Sequence, residues 1–159
     1  MTTTPETTNK TDWYEPGLRF ECTQCGNCCT GPTGFVWFTP EEGQAIAKDL
    51  GISEKTFLRD YAIKKFGRWS LKEKKRGKLY DCIFLTWNDD HTKAGCSIYK
   101  TRPTQCRTWP FWPSNLRSPE DWEQSAGHCP GMKQGMAGKG TFVPADEIRI
   151  RRDLSDRRL

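Results

Sequence analysis

The sequence predicts a small single domain of the α+β class, with short helices and a small antiparallel sheet organised around a cysteine-ligated metal centre. Three observations support this prediction. The chain has 159 residues, the usual size of one globular domain. Only 35% of its residues are apolar, below the ~45–50% of typical soluble domains. Eight residues are cysteines, and metal–thiolate bonds can hold together a chain whose apolar core is small.

The expected compartment determines how the cysteines are interpreted. No stretch approaches the ~18 consecutive apolar residues of a membrane span. The N-terminal sequence MTTTPETTNKTDW also lacks the basic-then-apolar order of a secretory signal. We therefore expect a cytoplasmic protein with no membrane partner. Because reducing conditions disfavour disulfides, metal binding or redox chemistry is the expected use of its clustered thiols.

The domain is expected to begin after a short tail. Residues 1–12 are rich in threonine and poor in apolar residues, which predicts a disordered tail, and residues 13–159 form the predicted metal-binding domain. The run FVWF near the start of the domain predicts a strand. Thr39 and Pro40 then predict the start of a helix that ends before Gly51.

A second helix and several strands are expected to follow. Ser53 is the predicted cap of this helix, whose apolar face is formed by Phe57, Leu58, Tyr61 and Ile63. The segments RWSLKEKK and KLYDCIFLTW predict two antiparallel strands joined by a turn at Arg76-Gly77, and GCSIY predicts a third.

The C-terminal third predicts short helices separated by loops. Thr101-Arg102-Pro103 precedes a short helical turn that carries Cys106, Ser118 begins another helix, and the last helix extends from Pro144 to about Arg158. The glycine-rich stretch 128–140 predicts a loop.

One segment carries all of the excess positive charge. The formal net charge is +5, but residues 64–78 contain eight basic residues and one acid, so this segment carries +7 and the rest of the chain −2. One interpretation is a nucleic-acid-binding segment in which Phe66 and Trp69 stack on bases. The other, which we favour from the sequence, is a solvated strand or hairpin whose lysines protect an exposed sheet edge.

The first four cysteines form the pattern C-x-x-C-x-x-C-C over residues 22–29. Two-residue spacers let the chain curl so that successive sulfurs approach one centre. Gly26 within the pattern relieves backbone strain where the loop curls. The adjacent side chains of Cys28 and Cys29 diverge, so we expect them to serve two centres, or one of them to be a bridging or free thiol.

Eight cysteines are enough for two four-sulfur sites. We predict one centre with Cys22, Cys25, Cys28 and Cys129, and a second with Cys29, Cys82, Cys96 and Cys106. There are three alternatives. Cys28 and Cys29 could exchange places, the four cysteines outside residues 22–29 could divide differently between the centres, or all eight could bind a single larger thiolate-bridged cluster. For Cys82 within CIFL, a buried apolar role is a further alternative.

The spacing also bears on the identity of the metal. Three cysteines at two-residue spacing, together with Cys129-Pro130, are typical of bacterial ferredoxin ligation. Paired zinc ribbons would show a second C-x-x-C, which the chain lacks. His91 and His128 are too few for a histidine-rich catalytic zinc site. The sequence therefore favours an iron–sulfur cluster, [4Fe-4S] in type, with Zn²⁺ as the alternative.

Charged and aromatic residues surround Cys106 in the sequence. Arg102 and Arg107 are predicted either to offset the negative charge of thiolates or to be ordinary surface arginines. The nearby aromatic residues are predicted as core, with shielding of the metal as the alternative: Trp109, Phe111 and Trp112. The sequence contains no P-loop, Rossmann, G-x-S-x-G or histidine–glutamate motif, so it assigns no enzyme class.

These motifs together resemble the CxxCxxCC cysteine-cluster family, which includes the YkgJ-like proteins and flagellin lysine N-methylases. The resemblance covers about residues 20–150 and is carried by CTQCGNCC, FVWFTPEE, DCIFL, GCSIYKTRPTQCRTWPFWP and HCPGMKQG. It implies a zinc- or iron-chelating centre to which all eight cysteines map. The methylase members are longer, and this chain shows no S-adenosylmethionine site, so their activity is not expected here.

Three functional hypotheses follow from the sequence. The first is a metal-binding protein whose eight cysteines coordinate iron–sulfur clusters or zinc. The second is a redox or methyltransferase-linked enzyme component that uses an iron–sulfur centre. The third is a zinc-stabilised nucleic-acid-binding module that uses residues 72–78 with Trp69.

Overall fold

The computed structural model of the protein describes residues 10–156 and confirms the α+β class. The helices within this range are α1 (Pro40–Leu50), α2 (Glu54–Tyr61), α3 (Thr104–Arg107), α4 (Pro113–Leu116), α5 (Pro119–Ala126), α6 (Pro130–Met136) and α7 (Ala145–Asp156), with a 3-10 turn at Tyr99–Thr101. None of these helices is long and apolar enough to cross a membrane. Of the predicted disordered tail, residues 1–9 lie outside the described range. Asp12 accepts a 2.9 Å hydrogen bond from Arg149 on α7.

Ten short strands accompany the helices in the described range. They are β1 (Leu18–Phe20), β2 (Thr30–Gly31), β3 (Trp37–Phe38), β4 (Ala62–Lys65), β5 (Arg68–Leu71), β6 (Glu73–Arg76), β7 (Leu79–Cys82), β8 (Leu85–Trp87), β9 (Ala94–Cys96) and β10 (Thr141–Val143). They form four small antiparallel sheets, in the orders β1-β10, β2-β7-β6, β3-β5-β4 and β8-β9. The expected single small sheet is thus divided into four.

The first two helices begin where their capping residues predict. Thr39 Oγ1 accepts a 3.2 Å hydrogen bond from the Glu42 backbone N–H, and the Glu42 carboxylate accepts one from the Thr39 backbone N–H at 2.9 Å. Helix α2 ends at Tyr61, so the expectation that Ile63 lies on its apolar face is wrong. Ile63 pairs with Ser70 in the sheet and is exposed, because the chain becomes extended after α2.

The segment RWSLKEKK changes sheet in its middle. Strand β5 pairs with β3 and β4, whereas β6 forms the predicted hairpin with β7 around Gly77. The change occurs at Lys72, whose N–H donates to the Tyr61 carbonyl at 2.8 Å and whose carbonyl accepts from the Ile83 N–H at 3.0 Å. These two bonds hold both sheets to the same short link.

The expected loop at residues 128–140 contains a helix, α6, and the loop prediction is wrong for this part. A β-carbon on Gly131 or Gly135 would collide with the backbone of Glu21 or Arg19, respectively. The glycines therefore allow close packing of α6 against β1, which offsets their low helix propensity. Pro130 occupies the first position of the helix, where its missing N–H has little cost.

Two apolar clusters form the interior. The helical core consists of buried residues on and around α4 to α7, including Tyr14, Phe111, Trp122, Met132 and Ile148. The sheet core is formed by α1, α2 and the adjoining strands, and includes Phe38, Ile46, Phe57, Leu71 and Ile98. Helix α3 contacts both β3 and α7, so the helix that carries Cys106 lies between the two parts.

Candidate metal centre

The eight cysteines come from five separate regions of the chain. Residues 22–29 form the loop between β1 and β2, Cys82 and Cys96 end β7 and β9, Cys106 lies in α3, and Cys129 precedes α6. All eight are free thiols. Cys82 and Cys96 pack against the sheet core, whereas Cys129 belongs to the helical core. A metal centre shared among these regions would connect the two cores.

Hydrogen bonds hold the 22–29 loop to the regions that carry the other cysteines. The Cys82 N–H donates to the Cys29 carbonyl at 2.8 Å, and the Ala94 N–H donates to the Gln24 carbonyl at 2.7 Å. The Asn27 side-chain amide donates to the His128 carbonyl at 3.0 Å. The loop is therefore fixed beside β7, β9 and the residue before Cys129.

Gly26 allows the loop to lie this close. Its φ of +78° is a left-handed conformation that residues with a β-carbon rarely adopt, and a β-carbon there would lie 2.8 Å from that of Ala94. Trp87 on β8 closes the same space, at 3.1 Å. The sequence interpretation of this glycine as strain relief is consistent with the structure, which adds a steric reason.

Gly26→Ala is expected to destabilise the metal-loaded protein more than Gly138→Ala. Gly138 has a similar φ of +83° but open space around it. The control should lose only the ~1–2 kcal/mol of left-handed strain, whereas Gly26→Ala should lose roughly 1–3 kcal/mol more through the collision with Ala94. Urea unfolding of both variants measures the difference, and equal losses would contradict the close-packed loop.

Several cysteine sulfurs accept hydrogen bonds from backbone N–H groups two residues ahead. The Gln24 N–H donates to Cys22 at 3.4 Å, and the Asn27 N–H donates to Cys25 at 3.5 Å. Backbone N–H groups of Phe84, Ile98 and Gly131 donate to Cys82, Cys96 and Cys129, and at these three sulfurs the bonds lower the pKa and favour the thiolate form. Such bonds support negative charge on a sulfur before any metal binds.

Five thiols form one electrostatic neighbourhood, here named the five-thiol group: Cys28, Cys29, Cys82, Cys96 and Cys106. The Sγ atoms of Cys28 and Cys29 lie 3.5 Å apart. A hydrogen bond from Cys29 lowers the pKa of Cys28 to about 7, and the same bond raises the pKa of Cys29 well above its usual range. Near neutral pH the pair can therefore carry one negative charge and one proton.

The remaining thiols of this group are protonated more strongly because they are buried. Burial raises the pKa values of Cys82, Cys96 and Cys106, and the other thiols of the group add to the effect through like-charge repulsion. Several adjoining thiolates would be costly without a cation to balance them, and a soft divalent metal supplies this balance. The chemistry of the donor set thus fits zinc or iron.

Arg102 is a cation near these thiols, which is one of the two roles that the sequence left open for it. Its charge lowers the pKa values of Cys28, Cys96 and Cys106. Its guanidinium lies 3.8 Å from the centroid of the Tyr99 ring, and its Nε donates to the Tyr99 carbonyl at 3.0 Å. Arg107 has a different role, since its Nη2 donates to Thr104 at 3.1 Å.

Cys25 and Cys129 form a second neighbourhood, here named the two-thiol group. Burial raises the pKa of Cys129, and the charge of Cys25 raises it further. The Trp109 indole N–H donates to the Cys129 sulfur and has the opposite effect. Trp109 thus touches the site, whereas Phe111 is fully buried in the helical core and Trp112 donates to the Gln105 carbonyl at 2.9 Å.

The thiols lie near one another, but in the described part of the chain their sulfurs do not converge on one point as the ligands of a bound metal would. Within residues 10–156, no three histidine, cysteine, aspartate or glutamate side chains are arranged to hold a common metal ion. Binding through four sulfurs at ~2.3 Å would require side-chain rotation within the five-thiol group.

A carboxylate clamp beside the centre has no signature in the sequence. Asp81 accepts two bonds from Arg76, at 2.8 and 3.2 Å, and one from the Thr30 hydroxyl. Because Thr30 follows Cys29 and Asp81 precedes Cys82, the clamp fixes β2 against β7 where these two cysteines meet. Only the register of the sheet reveals this pairing.

Asp81→Asn is expected to lower the free energy of unfolding by about 1–3 kcal/mol at pH 7. Hydrogen bonds from Arg76 and Thr30 lower the pKa of Asp81 in the folded protein. The stabilisation that the ionised carboxylate provides is therefore fully present above the ordinary carboxyl pKa of ~4, and it is lost as the pH falls through the lowered pKa of the folded state. The difference in the free energy of unfolding between wild type and variant should therefore shrink below about pH 4. Denaturant unfolding at several pH values measures it.

Asp60→Asn is the matched control for the clamp. Asp60 is paired with its exposed neighbour Arg59, whereas the Asp81 side chain is only 12% exposed. We expect no measurable loss of stability in the control. If the difference in the free energy of unfolding between Asp81→Asn and wild type stayed constant from pH 7 to pH 2, the carboxylate charge would not be the source of the stabilisation.

Comparison with known proteins gives a family match over most of the chain. The model of the CxxCxxCC family, described as "Putative zinc- or iron-chelating domain", matches residues 21–130. An uncharacterised protein of Methanocaldococcus jannaschii is 36% identical over 102 residues, which are 64% of this chain and 50% of that protein. The chain thus spans about half the length of this curated relative. No solved structure matches the chain.

Proposed function

The chain belongs to the CxxCxxCC family, and on this premise we propose that its eight cysteines bind an iron–sulfur cluster or zinc. The observation that carries the proposal is the meeting of thiols from distant parts of the chain. The Cys82 N–H donates to the Cys29 carbonyl at 2.8 Å, and the charges of Cys82 and Cys96 raise the pKa of Cys106, although these four residues span almost eighty positions of sequence. Packing alone does not require four thiols at one place.

The two neighbourhoods support a division of the cysteines. Cys25 and Cys129 are neighbours, and Cys22 lies three residues before Cys25 in the same loop. Cys28 is hydrogen-bonded to Cys29, and its charge raises the pKa values of Cys96 and Cys106. We therefore assign Cys22, Cys25 and Cys129 to one centre and Cys29, Cys82, Cys96 and Cys106 to the other. Cys28 lies between them and is the ligand able to serve either.

The protein's own contribution is to hold and charge these ligands. Backbone N–H groups favour the thiolate forms of Cys82, Cys96 and Cys129, Arg102 favours that of Cys96, and the Trp109 indole orients Cys129. An iron–sulfur cluster would supply one-electron transfer when bound, whereas zinc would supply structural cross-linking. A redox or methyltransferase-linked role therefore depends on the presence of iron.

Metal and acid-labile sulfide, measured on protein purified without oxygen, test the proposal. Iron with matching sulfide and an absorption band near roughly 400 nm that dithionite bleaches would assign iron–sulfur. Zinc without sulfide or colour would assign zinc and exclude the redox role. Less than about 0.1 metal per chain, with eight thiols reactive in the folded protein, would overturn the proposal.

A further inference from the structure

Two contacts close the 22–29 loop against the segment that carries Cys129. The first lies at the start of the loop, where Glu21 packs against Gly131 of α6. A β-carbon on this glycine would collide with the Glu21 carbonyl oxygen, so the two backbones approach more closely than a residue with a β-carbon would allow. Glu21 precedes Cys22, and Gly131 lies two residues after Cys129. The start of the loop is thus placed beside the residues that follow Cys129.

The second contact is made by Asn27. Its side-chain amide donates to the His128 carbonyl at 3.0 Å, across 101 positions of sequence. Asparagine in a turn usually bonds to backbone groups close to it in sequence, so this distant partner indicates a different role. The bond reaches the peptide that leads directly into Cys129. Together, the two contacts hold the loop to both sides of Cys129.

The backbone of Asn27 also contacts a cysteine. Its N–H donates to the sulfur of Cys25 at 3.5 Å, and the Gln24 N–H makes the equivalent bond to Cys22 at 3.4 Å. This backbone bond is therefore common to both C-x-x-C turns and does not distinguish Asn27. The first turn is held to β9 through the Gln24 carbonyl, whereas the second is held to the Cys129 segment through the Asn27 side chain.

Cys129 and the loop cysteines differ in how firmly the fold holds them. Cys129 is 8% exposed and packs in the helical core, and its backbone is hydrogen-bonded to α5 and α6. Cys22 is exposed and Cys25 is half-buried, and both lie in a loop. A metal shared by the three therefore requires the loop to stay beside a sulfur that the helical core fixes.

We propose that Asn27 is a positioning residue for the metal centre of Cys22, Cys25 and Cys129. This role rests on the proposed function, since it requires that these cysteines bind metal. By holding the loop beside the Cys129 segment, the Asn27 amide reduces the freedom that the loop would otherwise lose when the metal binds. Its effect is confined to this centre, because its two contacts lie at Cys25 and beside Cys129.

Competition with a chelator tests the proposal, with retained metal measured on the full chain purified without oxygen. The background is Cys106→Ser, which is expected to keep only the centre of Cys22, Cys25 and Cys129. Asn27→Ala in this background should lower the chelator concentration that removes half of the metal by roughly 2- to 13-fold, the range for one net hydrogen bond. Asn27→Gln keeps an amide donor and should lose less affinity than Asn27→Ala.

Cys129→Ser supplies the comparison, because it is expected to keep only the other centre. Asn27→Ala should have no effect on retained metal in this background, whereas a general loss of stability would weaken both centres. Asn88→Ala is the matched control in the Cys106→Ser background. Asn88 is also exposed and its amide also donates at 3.0 Å, but to Thr92 in its own turn. This control should leave the affinity unchanged.

An unchanged affinity in Asn27→Ala, or equal losses in the two cysteine backgrounds, would overturn the proposal. If either cysteine variant fails to fold, the same titration in the otherwise wild-type chain decides, and equal losses in Asn27→Ala and Asn27→Gln would overturn it. Wild-type protein without metal would overturn the proposed function as well. Metal-loaded wild type with an unshifted Asn27→Ala would overturn only the role of Asn27.

Discussion

Removing bound metal is expected to unfold the protein. Structural zinc contributes an apparent ~10–16 kcal/mol in small metal-dependent domains, as much as the ~5–15 kcal/mol total stability of an ordinary domain. Only 35% of the residues in this chain are apolar, and the buried ones form two separate clusters, so neither core is large. Loss of near-UV circular dichroism and of the thermal transition after treatment with a chelator under reducing conditions would show the effect.

The loss should be cooperative, because the candidate ligands belong to both halves of the fold. Cys82 and Cys96 pack on the sheet core, Cys129 lies in the helical core, and α3 with Cys106 contacts elements of both. Adding the metal back should restore the signal. A reduced, metal-free sample that keeps its near-UV spectrum and melting temperature would show that the metal has no structural role.

Cys106→Ser is expected to remove the metal of the five-thiol group. Cys106 lies on the helix between the cores, and burial raises its pKa well above the usual range, so an uncompensated thiolate there is unfavourable. Changes to residues that merely support a ligand cost about 10–100-fold in metal affinity, so loss of a thiolate ligand should cost at least about 100-fold. Metal analysis of the purified variant, beside wild type, measures the loss.

Cys129→Ser is the matched variant for the other group. If the cysteines form two centres, each substitution should remove only its own share of the metal, and the double variant should lose both shares. Complete loss of metal in either single variant would instead favour one thiolate-bridged cluster. Full metal content in both single variants would contradict the assignment of these cysteines as ligands.

Local signals predicted the helices better than the strands. Thr39 and Ser53 mark the starts of α1 and α2 because capping depends only on residues close in sequence. The division of RWSLKEKK between two sheets depends on backbone bonds from Lys72 to Tyr61 and Ile83, which no local pattern reveals. Helix α6 was missed because the glycines that weaken it are needed for packing against β1.

The site was predictable as a set of residues but not as an arrangement. Cysteine spacing, the number of cysteines and the family resemblance indicated the eight candidate ligands, and of the two roles left open for Arg102 the structure favours the one in which it offsets thiolate charge. The neighbours of Cys28 and the Asp81 clamp depend on which strands pair, and pairing over more than fifty residues leaves no periodic trace.

X-ray absorption at the metal edge tests the central claim most directly, since it reports the ligand atoms around the bound metal. Binding by the cysteines predicts a shell of sulfur atoms at ~2.3 Å for zinc, and an additional metal–metal distance if iron–sulfur clusters are present. A shell dominated by nitrogen or oxygen at ~2.0–2.1 Å would contradict cysteine ligation.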